Sequence, residues 1–415
     1  MASGNDEKLA LDGGTPVRSW PFTNWPIWDE QEEAALLRVL RSGRWGWEGD
    51  ETQNFEDEFA RAHQARFAFT VASGSAALET ALAAAGVTWG DEVIVPPYTF
   101  FATASACLMR GAIPVFADID GASLNLDAAA VEAAITPRTK AIIPVHIGGC
   151  PANLDAIIGV ARRHNLSVIE DAAQAHGAAW RGRPVGAIGN LGCFSFQSSK
   201  NINSGEGGAV LTDDEELAER CWSFKNYGRE RHNTVWYGHT TLGTNFRLTE
   251  FQAALLRAQL THLEDWAQRR TRNGEHLSAG LGESGVLMPQ QPDAGVTRHA
   301  YHVFMACYDS QSCGGRTRDW FCEAMSAEGI SCVGGYTPLY LLPGIRQGTQ
   351  DLLRALGRDV SEDALGWTRC PVVEEVCRDA VWILGQSAFL GTTEDMDDIL
   401  RAVAKVRRGA EIEGG

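Results

Sequence analysis

Lys200 lies in GCFSFQSSKNINSGEGG (residues 192–208), just past a run of small and aromatic residues and before a glycine-rich turn. A lysine in a partly apolar setting has its ammonium form disfavoured, which frees the amine to attack a carbonyl. Asp171 ends an apolar run in VIEDAAQAHG (168–177). A carboxylate buried at such a point calls for a cationic partner, such as a protonated ring nitrogen. SGSAALETAL (73–82) turns from an apolar run into a helix, so Gly74, Ser75 and Ala76 stand where free N–H groups and the helix dipole suit a phosphate. Ser195 can add a hydroxyl to the same anion. In VPPYTFFATAS (95–105) aromatics leave a strand end, from which one can stack on a flat ring. Taken singly, these features also describe a surface lysine, a capping aspartate, an ordinary helix start and a packed aromatic. Taken together they supply a phosphate cradle, an aromatic lid, an acid for a ring nitrogen and an amine for a carbonyl. That is the inventory pyridoxal 5′-phosphate requires. Asp171 would make the ring an electron sink, and Lys200 would move the proton between the substrate Cα and the cofactor C4′.

Such residues need a scaffold that gathers strand ends. From about residue 67 to 212 short β-branched or aromatic runs alternate with helix formers such as SAALETALAAAG and LDAAAVEAAI. The candidate strands are Phe67–Ala72, Glu92–Val95, Ile113–Ile119, Ala141–Val145, Leu166–Glu170, Gly192–Gln197 and Gly208–Leu211. The alternation predicts an α/β fold with a mostly parallel sheet covered on both faces, whose ligands bind at the strands' carboxyl ends. A long amphipathic helix is expected over Glu250–Arg270, and a Gly-, Pro- and Gln-rich loop near Glu283–Gly295 suggests a boundary. A strand (Tyr301–Tyr308), a helix (Arg318–Glu328) and a terminal helix follow. In the last, Thr392 and Asp395 make a start resembling a capping box, with Met396, Ile399, Leu400 and Val403 on one face. The expected division is an N-terminal arm (1–30), a large α/β domain (31–270) and a smaller α+β domain (271–415).

The chain has 415 residues, with 53 acidic against 36 basic side chains and a formal net charge of −17. That surface repels phosphate backbones and anionic lipid, so neither nucleic acid nor a membrane is an expected partner. No apolar leader or spanning run is seen, which points to the cytoplasm. The ten cysteines are scattered without C-x-x-C pairs, so they read as free thiols and no metal site is expected.

SGRWGWEGDETQNFEDEFA, VASGSAALETAL, GDEVIVPPYTFFATASA, GAIPVFADID, AAITPRTKAIIPVHIGG, VIEDAAQAHGA, FSFQSSKNINSGEGGAVLT and GTNFRLTEFQAALLRAQL occur in this order. Through these stretches the chain resembles the DegT/DnrJ/EryC1/StrS family of sugar and cyclitol aminotransferases over nearly its whole length. The resemblance implies fold type I: a seven-stranded, largely parallel sheet between helices, a small C-terminal domain, and a homodimer with two shared sites. It makes Lys200 the Schiff-base lysine, Asp171 the pyridinium partner, Phe100 the stacking aromatic and Gln174 a polar cofactor contact. Gly74, Ser75, Ala76 and Ser195 fall at phosphate-binding positions, and Asn245 matches an asparagine that reaches the neighbouring subunit's cofactor phosphate. Arg229, Arg231 and Arg247, with His239, lie in or beside the loop leading to Asn245 and are candidates for gripping an anionic substrate group; His176 is a further substrate candidate, as are Trp45 and Trp47 in the segment that borders the pocket.

Two departures from the common pattern carry information. Ser75 stands where many members have Thr, which keeps a hydroxyl. SFQ before the lysine replaces the SFH of many nucleotide-sugar enzymes and is similar to the branch handling inososes and aminohydroxybenzoate precursors, as is the tail DAVWILGQSAFLGTTEDMDDIL. The implied reaction moves an amino group from L-glutamine or L-glutamate to a cyclitol ketone or keto-sugar, as in aminocyclitol or amino-sugar antibiotic synthesis. The alternatives are an aminohydroxybenzoate-type synthase and a non-catalytic regulator keeping the fold. Sugar 3-dehydratases of the family carry His in place of the lysine, so Lys200 argues against that branch.

Overall fold

A computed structural model describes residues 8–46, 49–232, 235, 237–360 and 370–413. Seven strands form the central sheet in the spatial order Phe67–Val71, Gly208–Thr212, Leu191–Ser195, Ser167–Asp171, Thr139–Ile142, Glu92–Val95, Ile113–Phe116. All seven are runs expected from the sequence, with ends shifted by a few residues. Ile113–Phe116 stops early because Ile119 bridges to Leu126 instead. Gly208–Thr212 alone runs against its neighbours, and the remaining pairings are parallel.

The sheet is buried on both faces, which is why its strands read as apolar runs rather than alternating ones. Leu191 and Cys193 pack with Val71 and Ile169 on one side, while Phe194 packs with Phe55 and Phe59 on the other. The parallel strands end at one edge. There Asp171 and Ser195 are terminal strand residues, and Val71 leads through Ser73 into the helix Gly74–Ala84. Ser73 starts that helix by accepting the Ala76 N–H at 3.2 Å.

The long helix covers Glu250–Ser284, so it runs on through position 270, where the expected domain boundary lay. A capping box of Thr249 and Gln252 opens it, and Gly285 closes it at φ 69°. Gly274 sits mid-helix for a packing reason. A Cβ there would lie 2.5 Å from the Tyr301 ring. Beyond it, a second sheet orders Leu287–Pro289, Val303–Tyr308, Ala380–Gly385 and Cys332–Gly334, all antiparallel. Its second strand begins later than expected because Tyr301 adopts a left-handed φ of 44°. The terminal helix Thr393–Glu413 buries Met396, Ile399, Val403 and Val406, and Thr392 and Asp395 cap it reciprocally at 2.7 and 3.4 Å. The N-terminal arm is tied to this helix. Arg18 pairs with Asp395 and Asp398 at 2.7 Å each, and Lys405 donates to the Thr15 carbonyl at 2.6 Å. Among the described residues no helix is long and apolar enough to cross a membrane.

Strand alternation sends Glu170 and Asp171 to opposite faces. Glu170 is fully buried and accepts the N–H groups of Gly186, Ile188 and Gly189 at 2.6–2.7 Å, and His146 Nε2 at 3.1 Å. His146 Nδ1 accepts the Ala152 N–H at 3.0 Å, so Nε2 carries the proton donated to Glu170. Burial alone would raise the Glu170 pKa, but these donors hold it below the usual range. Glu170→Gln would turn an acceptor into a donor facing donors. We expect it to cost about 2–4 kcal/mol in urea unfolding. Because the folded pKa is depressed, this stabilisation is complete above the ordinary carboxyl pKa and is lost as pH falls through the folded value. The variant should therefore show a flatter acid limb than the parent.

Candidate active site

A cavity of about 680 Å³ opens at the carboxyl edge of the central sheet. Of the residues singled out in the sequence, Gly74, Ser75, Phe100, Asp171, Gln174, Ser195 and Lys200 all line it. Gly74 must lack a side chain, since a Cβ would lie 2.7 Å from that of Ser195. The helix N-terminus and the Ser195 side chain are thereby brought together. Ala76 is absent from the lining, its N–H being held by Ser73. Phe100 is 60% exposed, a high value for an aromatic at a cavity wall.

Asp171 is buried, and its carboxylate is held by neutral donors: Thr103 Oγ1 on Oδ2 at 2.8 Å and the Ala173 N–H on Oδ1 at 3.2 Å. Burial raises its pKa, countered in part by those two hydrogen bonds and by the charge of Lys200. The Lys200 amine finds no hydrogen-bond partner among the described residues. Burial lowers its pKa to about 8, with the Asp171 charge pulling the other way. Gln174 is oriented without ambiguity. Its Oε1 accepts the Gly148 N–H at 2.7 Å, so Nε2 donates to the Tyr336 hydroxyl at 3.2 Å.

The other candidates lie off this cavity. His176 is fully buried, its ring 5.3 Å from Phe194 and 5.7 Å from Phe196. Arg229 and His239 face each other in a backbone bridge, Arg231 sits over Phe69 at 5.4 Å, and Arg247 over Tyr227 at 5.4 Å. Asn245 is exposed and bridges to Asn226, and Trp45 packs against Phe251 at 5.8 Å. Trp47 lies outside the described residues. The wall also contains residues not singled out from sequence: Trp25, Thr103, His302, Tyr336, Trp382 and Gln386. Only Thr103 had a local signal, one turn beyond Thr99 and leaving the same strand end.

Comparison with known proteins places this geometry. The model of the DegT/DnrJ/EryC1/StrS aminotransferase family matches residues 26–382. The chain belongs to that family. It is 41% identical, over 96% of its length and 97% of the relative's, to the L-glutamine:2-deoxy-scyllo-inosose aminotransferase of Streptoalloteichus tenebrarius. It is 36% identical to the 3-amino-5-hydroxybenzoate synthase of Amycolatopsis mediterranei, covering 90% of this chain and 94% of that one. The crystal structure of 3-amino-5-hydroxybenzoic acid synthase superposes with a TM-score of 0.85 at 34% identity, covering 94% of this chain and 99% of that one.

Aminotransferases of this family depend on pyridoxal phosphate. The groups left unsatisfied fit it. A desolvated carboxylate with only neutral donors suits a protonated ring nitrogen, an unpartnered amine suits an aldehyde, and a capped helix start beside a serine suits a phosphate. The low Lys200 pKa can be tested directly with an amine-directed reagent and peptide mass mapping. We expect Lys200 labelling of the cofactor-free protein to rise with a midpoint near pH 8, whereas ordinary lysines titrate near about 10.4. Asp171→Asn should move that midpoint lower, because the lost carboxylate favoured the ammonium. A midpoint near that of surface lysines would contradict the assignment.

Proposed function

We propose that the protein binds pyridoxal 5′-phosphate in this cavity and carries an amino group from L-glutamine or L-glutamate to the ketone of an inosose-like cyclitol or related keto-sugar. The observation that carries the reading is the pairing in one cavity of an unpartnered, pKa-lowered Lys200 with a buried Asp171 that lacks a cationic hydrogen-bond partner. When bound, the cofactor supplies an aldehyde that exchanges amino groups and a ring that draws electrons from the substrate Cα.

The chain's own residues do the rest. The N-terminus of Gly74–Ala84 and the Ser195 hydroxyl hold the phosphate. Thr103 orients Asp171, whose carboxylate keeps a ring nitrogen protonated, and Phe100 covers the ring face. With a pKa of about 8, Lys200 is partly neutral near pH 7, so it can take the proton from the donor's Cα and return it to the product side.

The acceptor class rests on the 41%-identical relative, named for an inosose. A homodimer in the cytoplasm completes the reading. Asn245 is exposed and away from its own chain's cavity, which suits a residue that reaches the cofactor phosphate of a second copy. Arg229, Arg231, His239, Arg247 and Trp45, likewise absent from the lining of their own cavity, are proposed to serve that neighbouring site. The aminohydroxybenzoate synthase likeness supports a second reading, in which a carbocyclic substrate also loses water. A strongly ultraviolet-absorbing product would select it.

The test is the near-visible spectrum of the cofactor-loaded protein. A yellow band should bleach on addition of L-glutamine or L-glutamate and return with a keto-cyclitol. Lys200→Ala should abolish the band's normal form and lower turnover by about 10²–10⁴-fold. No bleaching by either donor would overturn the reading. The shared site has its own readout. Lys200→Ala and Asn245→Ala should each be inactive, and refolding them together should restore about a quarter of parental activity, since half the dimers carry one intact site. No recovery would refute the shared site.

A further inference from the structure

The part of the cavity wall built by the C-terminal sheet includes His302, Val303, Gly385 and Gln386. The antiparallel ladder ends on the pair Val303 and Gly385, so His302 and Gln386 both flank that pair at the same end of the sheet, and both line the cavity. Both side chains have their polarity fixed from behind. The Ala300 carbonyl can only accept, and Asn201 Nδ2 donates to it at 2.9 Å. Asn201 Oδ1 therefore faces His302 Nδ1, 3.1 Å away, and that nitrogen carries the proton. Burial and the charges of Lys200 and Arg270 keep the His302 pKa far below its ordinary value, so the ring is neutral and Nε2 is a bare acceptor.

Gln386 is fixed with the opposite sense. A guanidinium only donates, and Arg270 Nη2 donates to Gln386 Oε1 while its Nε donates to the Gln386 carbonyl at 3.2 Å. The Gln386 Nε2 group is thus turned away from Arg270 as a donor, with no partner among the described residues. Arg270 is fully buried, over Trp25 at 5.5 Å and Trp266 at 5.9 Å, and no acidic side chain pairs with it among the described residues. Burial lowers its pKa to about 9, which leaves it cationic at neutral pH. It also donates to the carbonyl of Asn201, next to Lys200, at 3.3 Å. A donor and an acceptor on one wall of one cavity match a hydroxyl, which is both. They do not match a carboxylate, which only accepts, or an ammonium, which only donates.

Resting on the transferase reading, we propose that Gln386 and His302 determine acceptor specificity by holding one hydroxyl of a neutral, hydroxylated ring ketone. Gln386 donates to that hydroxyl and His302 accepts from it. Arg270 and Asn201 are positioning residues, acting only through the orientation they impose. A site with both hydrogen-bonding groups in place rejects a ring that lacks the hydroxyl, because its buried polar groups are then left unpaired.

The experiment uses the cofactor-loaded enzyme, first charged with L-glutamine or L-glutamate and then given scyllo-inosose or cyclohexanone. The readout is the ratio of kcat/KM for the two ketones, which general damage to the fold would not move. Gln386→Leu and His302→Phe should each lower that ratio about tenfold while the rate of bleaching by the amino donor stays within about twofold. Gln386→Glu keeps an oxygen for Arg270 and so guards against misfolding, and it should lower the ratio as well. Arg270→Lys should move it in the same direction. An unchanged ratio in the Gln386 and His302 variants, or equal loss on both ketones, overturns the proposal while leaving the transferase reading intact. Failure of the parent to bleach with either donor overturns both.

Discussion

Two adjacent carboxylates at the end of the strand Ser167–Asp171 meet opposite environments, and the site depends on the contrast. Glu170 is saturated by three backbone N–H groups and His146. Those bonds tie the strand to the turn at residues 186–189 and, through His146, to the loop after the neighbouring strand. Asp171, one residue on and facing the other way, receives a hydroxyl and one N–H. A buried charge with so few donors is unstable alone, and only a rigid frame keeps it there. Glu170 supplies that frame. The anchor and the reactive group are separated by one peptide unit, so whatever fixes the first fixes the position of the second.

The same economy governs the basic residues around the cavity. Lys200, His176, His302 and Arg270 lie close enough to feel one another's charge. Burial drives both histidines far below their ordinary pKa, so they stay neutral and add no positive charge. The cluster's charge at neutral pH then comes from Arg270 and the protonated share of Lys200, opposed by Asp171. Desolvation therefore serves two ends: it keeps both histidines neutral and brings a lysine into a range where it can exchange protons.

How much of this was legible in the sequence follows from distance along the chain. Gly74, Asp171, Ser195 and Lys200 belong to local strand-to-loop-to-helix units, so each announced itself within about ten residues, and a parallel sheet brought their strand ends to one edge. Trp25, His302, Tyr336, Trp382 and Gln386 come from the arm and the second sheet. Nothing local distinguishes them, since their role exists only once that sheet packs over the first. The helix end is another such case: it runs past Arg270, and the Tyr301 ring packed against Gly274 explains a glycine inside a continuous helix. The candidate arginines near Asn245 are absent from the lining of their own chain's cavity, a matter of geometry that spacing does not encode.

The molecule thus separates two tasks that a single layer would perform less well. Strand ends and one helix start carry the charged groups, whose energies are large and whose placement tolerates little error. The antiparallel sheet carries uncharged amide, imidazole and hydroxyl groups, whose energies are small but whose direction matters. An amide or a neutral imidazole has no fixed polarity of its own, because flipping it exchanges donor and acceptor. Polarity must then be imposed by a partner that cannot flip. The Ala300 carbonyl does this for Asn201 and His302, and the Arg270 guanidinium does it for Gln386. A fully buried arginine without an acid is a costly element for a fold to keep. It is a sensible one where the alternative is a glutamine free to present either end of its amide to a ligand.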